Sequence, residues 1–291
     1  MATISSDVQF IDAGGLRFGY LTEGSGPLVL LVHGFPDTPH TWRHVMPALA
    51  KAGYRAVAPF TRGIAPSAVP ADGVYGSDTL GRDLLALIEA LGGGPAVVVG
   101  HDWGASAAYS AAALGPEKVR LLVTMAIPHP RSIKPSLGLL WQMRHFFVLG
   151  ARGGAGRLRR NDFAYVDTLA KRWSRTWDIP VDEFRATKDA YAPAGSAEAA
   201  CAYYAQVRRK PPEGHRQKIS VPTVSIAGAD DVVAPAAYER ARRCFTGVYE
   251  VVTVPGGHFM HREQPAAFEA ALLGALARHA PPPSATAGSP A

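Results

Sequence analysis

The sequence predicts an α/β protein: a mostly parallel sheet flanked by helices, with one helical segment inserted into it. Three observations predict it. Short, continuous apolar runs alternate with helix-like segments through the first 127 residues. The alternation stops at residue 128 and resumes at residue 219. Glycine- and proline-rich breaks punctuate the changes of pattern.

Taken in order, residues 8–12 and 16–22 are short β-type runs split by Gly14-Gly15. Residues 27–32 are unbroken apolar sequence, the mark of a strand buried on both faces, and they end at His33-Gly34. A helix is expected over 42–50 and a strand over 55–59, with Gly53 between them. Helical spacing over 79–91 stops at Gly92-Gly93-Gly94-Pro95. Residues 96–100 give a third buried strand, 105–114 a small-residue helix closed by Gly115-Pro116, and 120–127 a fourth strand. No β-rich run occurs over 128–218. Strands return at 219–228 and 249–254, and a helix over 266–279 closes the pattern. βαβ alternation implies a parallel sheet covered on both sides. The division expected is therefore a core of residues 1–127 and 219–279, a helical insertion of 128–218, and a Pro/Ser/Ala-rich tail of 280–291, disordered by composition.

Composition narrows the function classes. The chain has 291 residues, 47% hydrophobic and 19% charged, which excludes intrinsic disorder as its main state and provides for a large core. Two cysteines, Cys201 and Cys244, are too few for a disulfide framework and read as reduced, buried thiols. The first residues lack the basic start and apolar run of a signal peptide, and no apolar stretch is long enough to span a membrane. A cytoplasmic protein with no membrane partner is expected. Residues 131–218 carry 17 Lys and Arg against 8 Asp and Glu, a net of +9, while the rest of the chain is at −3. Acids interrupt this block and no nucleic-acid motif accompanies it, so it reads as a solvated face rather than a nucleic-acid site.

The most informative residues are Gly100-His101-Asp102-Trp103-Gly104, between a buried strand and a helix. A nucleophile elbow needs this context, with small residues flanking a sharp turn. Asp102 would stand above the sheet edge at a helix N-terminus, which favours the ionised carboxylate. An ordinary helix N-cap is the competing structural role. Two further elements follow in the order that a nucleophile–acid–histidine triad requires, and a third precedes them. Gly228-Ala229-Asp230-Asp231 follows the returning strand and supplies the acid, preferably Asp231, with Asp230 as the alternative. Gly256-Gly257-His258 follows the last strand and supplies the base. His33-Gly34-Phe35-Pro36 is in place to give an oxyanion hole the backbone N–H of Phe35, to pair with that of Trp103.

Together these residues resemble an α/β-hydrolase of the epoxide hydrolase and haloalkane dehalogenase branch, over roughly residues 10–280. The resemblance is carried by His33-Gly34-Phe35-Pro36-Asp37, Arg62-Gly63 with Pro66-Ser67, Gly100-His101-Asp102-Trp103-Gly104, Asp231 and Gly257-His258. It implies the α/β-hydrolase fold, with residues 128–218 as the helical cap of that branch. An aspartate nucleophile favours attack on an sp3 carbon bearing a leaving group, because the anhydride it would form from a carbonyl collapses backwards. The alkyl ester on Asp102 would then be hydrolysed by water activated by His258, oriented by Asp231.

The leaving group separates the branches. The resemblance implies two cap tyrosines as donors to an epoxide oxygen. Tyr204 matches the later one, although a packed cap aromatic is its structural alternative. At the earlier position, around residues 140–147, there is no tyrosine. His145 or Trp141 is the expected substitute, with Tyr165 a more distant one. Phe35 stands where many haloalkane dehalogenases have Asn, and Trp103 stands where fluoroacetate dehalogenases have Arg, so the sequence favours an epoxide. The expectation is an epoxide hydrolase taking a small apolar epoxide and water. A haloalkane dehalogenase is the first alternative, and a non-catalytic ligand-binding hydrolase fold the second. No metal or organic cofactor is implied, since neither a His/Cys cluster at ligand spacing nor a phosphate loop is present.

Overall fold

The computed structural model describes residues 7–134, 137–207 and 210–282. Its eight strands are β1 (Gln9–Ala13), β2 (Leu16–Glu23), β3 (Leu28–Val32), β4 (Arg55–Pro59), β5 (Ala96–His101), β6 (Val119–Met125), β7 (Thr223–Gly228) and β8 (Tyr249–Val254). They form one sheet in the order β1-β2-β4-β3-β5-β6-β7-β8. β2 pairs antiparallel with both β1 and β4, and the remaining pairs are parallel. β3 lies between β4 and β5, so the strand order reverses there. In an open α/β sheet the crevice outside the carboxyl ends at such a reversal is where ligands bind.

Side-chain alternation along the strands divides the core into two layers. Val29 and Leu31 of β3, Val97 and Val99 of β5 and Val224 and Ile226 of β7 face α1 (Val45–Lys51) and the closing helix. Leu30, Val32 and Val98 face the opposite layer, built from α2 (Ser77–Ala90) and α3 (Trp103–Leu114). Between β6 and β7 come α4 (Leu137–Gln142), α5 (His145–Gly150), α6 (Gly154–Trp173), α7 (Arg185–Tyr191), α8 (Ser196–Ala205) and α9 (Glu213–Arg216). Helices α5 to α8 pack on one another, and the backbone of α6 leaves helical geometry at Arg160, Asn161, Asp162 and Phe163. α9 instead packs on α2 and α3. The Asp78 carboxylate of α2 holds it there by accepting from the N–H groups of Glu213 and Gly214. The chain ends with α10 (Ala236–Ala241), α11 (Met260–Glu263) and α12 (Pro265–His279).

Three expectations need correction. The helix expected over 42–50 is a short 3-10 turn at Pro39–Trp42 followed by α1. The strand expected from residue 219 starts at Thr223, because Pro222 has no N–H for the ladder, and Ile219 makes only an isolated bridge to Phe245. The disordered tail cannot begin at residue 280. Ala280 is buried and its carbonyl accepts from the Tyr54 hydroxyl, while the Pro281 carbonyl accepts from Arg120. The rest of that expected tail, residues 283–291, lies outside the described residues.

Several histidines are locked into this core. Burial lowers the pKa of His129 to about 3, with help from His215 and Arg131, and its ring packs against Tyr109 and Phe245. Burial also lowers His101 to about 4, with help from the neighbouring His258. Such rings stay neutral in the folded chain and take up protons near pH 6.5 once unfolded. Stability present above pH 6.5 is therefore lost as the pH falls toward 4. Thermal melts should show a midpoint that declines across this window, and His129→Gln should flatten the decline. A pH-independent midpoint would contradict the neutral assignment.

Candidate active site

Phe35, Asp102, Trp103, Asp231 and His258 each sit just past the carboxyl end of a strand, and parallel pairing brings these ends to one edge of the sheet. β5 delivers Asp102, whose backbone is in an unusual conformation at φ 52° and ψ −119°. A non-glycine residue is held there only when its surroundings over-determine it. The tightness of the turn also fixes Gly104: a Cβ there would collide with the Val32 and His33 carbonyl oxygens. β3 delivers Gly34 and Phe35. The Phe35 N–H donates to Asp102 Oδ1 at 2.9 Å, and a Cβ on Gly34 would lie 2.6 Å from that same oxygen.

β8 delivers His258 between two acids. Its Nε2 is 3.6 Å from Asp102 Oδ2, and its Nδ1 is 3.5 Å from Asp231 Oδ1. Both separations exceed ordinary hydrogen-bond length, as catalytic contacts often do before substrate binds. Asp231 has a wholly buried side chain, whereas Asp230 is exposed and accepts from the Gly256 N–H. That difference chooses between the two aspartates. Burial opposes a charge on His258, but the nearby Asp231 and Asp102 outweigh it and raise its pKa to about 10. Asp102 is likewise buried, yet His258 and the Phe35 N–H hold its carboxyl below the usual range. The two form a buried ion pair.

These residues open into a cavity of about 510 Å³ lined by Asp102, Trp103, His145, Phe146, Tyr204 and His258, among others. Tyr204 is buried, edge-on to Phe35 at 5.2 Å and to Trp103 at 5.4 Å between ring centroids. Burial and the Asp102 charge raise its pKa well above the ordinary tyrosine value, so the hydroxyl keeps its proton. His145 lines the same cavity 5.4 Å from Tyr204, its pKa lowered to about 4 by burial and by Arg172. His145 Nδ1 meets both the Gln142 carbonyl at 3.1 Å and an Arg172 N–H at 3.2 Å. Trp141 is not at the site. It is 67% exposed on the outer side of α4, with the Arg144 guanidinium 4.4 Å from its ring centroid. Tyr165 does not line the cavity either, and its side chain pairs with Arg172.

One feature was invisible in the sequence. Arg262, buried on α11, places Nη1 3.2 Å from both carboxylate oxygens of Asp37 and binds Glu183 and its carbonyl with the rest of its fork. Its guanidinium also lies 4.4 Å from the centroid of Phe184. Asp37 is two residues beyond Phe35, so Arg262 ties the loop after β3 to the 182–184 turn of the insertion. Asp37, His101 and His261 also come close enough to hold a cation, but Arg262 already supplies Asp37 with its positive charge.

With this geometry in hand, the relationship to other proteins is direct. Residues 27–265 match the model of the α/β hydrolase fold family, and the chain belongs to that family. Within it, epoxide hydrolase A of Mycobacterium tuberculosis is 30% identical over 91% of this chain and 95% of that protein. An epoxide hydrolase of Caballeronia sordidicola is 44% identical over 40% of this chain and 36% of its own length. The fold matches that of the inhibitor-bound Bacillus megaterium epoxide hydrolase with a TM-score of 0.82, at 23% identity, covering 92% of this chain and all of that one.

Two measurements check the electrostatics. Replacing Asp231 by Asn should lower the His258 pKa more than replacing Asp102 by Asn does, as read from imidazole NMR shifts, and no change in either variant would break the ion-pair description. Arg262→Met leaves Asp37 buried and unpaired, which should cost about 3–5 kcal/mol in denaturant unfolding. Adding Asp37→Asn to that variant should recover part of the loss.

Proposed function

We propose that the chain is an epoxide hydrolase that opens an apolar epoxide to a diol through an ester on Asp102. The observation that carries this reading is the juxtaposition of the ionised Asp102, backed by His258, with the protonated hydroxyl of Tyr204 and the neutral ring of His145 across one apolar cavity. In the first step Asp102 Oδ2 bonds to an epoxide carbon as the carbon–oxygen bond of the ring breaks, and the electron pair leaves on the epoxide oxygen. The Tyr204 hydroxyl or the His145 ring donates the proton that this alkoxide requires. Esterification removes one of the two anions that keep His258 charged, so its pKa falls and it gives up its proton, which restores the acid spent in the first step. In the second step the neutral His258, held by Asp231, takes a proton from water as that water attacks the ester carbonyl carbon. The Phe35 and Trp103 N–H groups stabilise the oxyanion. As it collapses the ester carbon–oxygen bond breaks, and His258 returns its proton to the departing alkoxide to release the diol. The Asp102 carboxyl formed gives its proton to His258, which regenerates the ion pair.

A halide leaving group would need only N–H donors. The presence of two groups able to give up a proton favours an oxygen leaving group, and the names of the relatives agree. Residues 128–218 act as the cap in this reading, and the buried, unpaired Cys201 and Cys244 support a reducing compartment such as the cytoplasm.

The test is intact-protein mass after His258→Gln is incubated with a panel of epoxides and haloalkanes. The variant should stall with a gain equal to a whole epoxide, and Asp102→Ala in the same background should gain nothing. A gain of an alkyl group without its halogen would instead make the chain a dehalogenase. Tyr204→Phe should slow adduct formation about 10²-fold if that hydroxyl is the principal acid.

A further inference from the structure

The α4–α5 segment has two apolar faces, and only one of them has a use in the reaction. Leu139, Met143 and Phe146 line the cavity. On the other side Leu137, Leu140, Trp141 and Phe147 are 87%, 53%, 67% and 72% exposed. Their spacing, with Arg144 between Trp141 and Phe147, makes one stripe along the segment. Exposed Val74 and Val207 continue the apolar surface at the rim of the cavity mouth. Monomeric proteins rarely leave such a patch uncovered.

The charge around it says what covers it. From residue 118 to residue 161 there is no Asp or Glu, while Arg131, Lys134, Arg144, Arg152, Arg157, Arg159 and Arg160 all fall within that span. Of these, Arg159 is neutralised by Glu198, and Lys134, Arg152 and Arg157 are exposed. Exposed aliphatic and aromatic side chains on a stretch of sequence that carries only positive charge match the boundary between acyl chains and anionic headgroups. No helix among the described residues is long and apolar enough to cross a membrane, so the contact would be peripheral.

We propose that the outer face of α4–α5 docks on an anionic lipid surface and sets the cavity mouth against it, so that an apolar substrate enters directly from the lipid. The route of entry rests on the proposed epoxide hydrolase reading, but the docking does not. The test is co-sedimentation of the full chain with phosphatidylcholine vesicles, with and without phosphatidylglycerol. The chain should pellet with the anionic vesicles and be released by high salt. Leu140→Ser combined with Trp141→Ser should weaken that binding roughly ten-fold, while turnover of a water-soluble epoxide is unchanged. Trp141 is the most exposed tryptophan, so vesicle binding should also shift the emission to the blue, and Trp141→Phe should remove the shift. Failure to pellet with anionic vesicles, or equal binding by the double variant, overturns the proposal. So does a vesicle-free dimer that the double variant dissociates, since a second copy would then cover this face. A chain that binds these vesicles but forms no adduct with any epoxide would overturn the catalytic reading alone.

Discussion

A buried, ionised carboxylate at Asp102 is the constraint on which the rest of the site depends. Taking such a group out of water is costly unless it is paired and hydrogen-bonded. Here the Phe35 N–H satisfies one oxygen and His258 faces the other. Both partners arrive because β3, β5 and β8 run parallel and end at one edge. The same requirement explains the turn at Asp102. Its positive φ lifts the carboxylate clear of the sheet, and the close approach of the next turn to β3 then excludes any side chain larger than hydrogen at residue 104.

The insertion between β6 and β7 completes this environment rather than merely covering it. On one flank the Tyr203 hydroxyl meets Thr61, Ser196 accepts from the Ala65 N–H, and Gln206 bridges Gly73 and Tyr75. On the other, the N–H of His258 donates to the Trp173 carbonyl and that of Phe259 to the Ser174 hydroxyl. Tyr203 and Tyr204 thus divide the work of one helix: the first fastens the cap to the loop after β4, and the second faces the cavity.

The parts of this arrangement legible in the sequence are those with local signatures. Continuous apolar runs marked the buried strands, and paired small residues marked the elbow at Asp102. Strand order and loop position then pointed to His258 and to the 230–231 pair. What was not legible depends on contacts between distant residues. Choosing Asp231 over Asp230 required burial, which two adjacent aspartates do not reveal. Trp141 and His145 are four residues apart on neighbouring turns, yet the break between α4 and α5 sends one ring outward and the other into the cavity. Arg262 looked like one more charge in a basic helix turn, because its partners Asp37 and Glu183 are 225 and 79 residues away. α9 falls within the insertion by sequence but packs on the core, through an aspartate far upstream.

The bond from His258 N–H to the Trp173 carbonyl has a consequence for how this architecture diversifies. His258, the base in the proposed reaction, is suspended from the insertion as well as from its own strand, so the insertion is not a freely exchangeable module. A chimera that takes its substrate-facing helices from a relative would inherit a base aimed by foreign backbone, unless the join at Trp173-Ser174 were kept. Evolution of specificity in this chain is thereby channelled toward single side chains along the cavity wall and away from wholesale replacement of the lid.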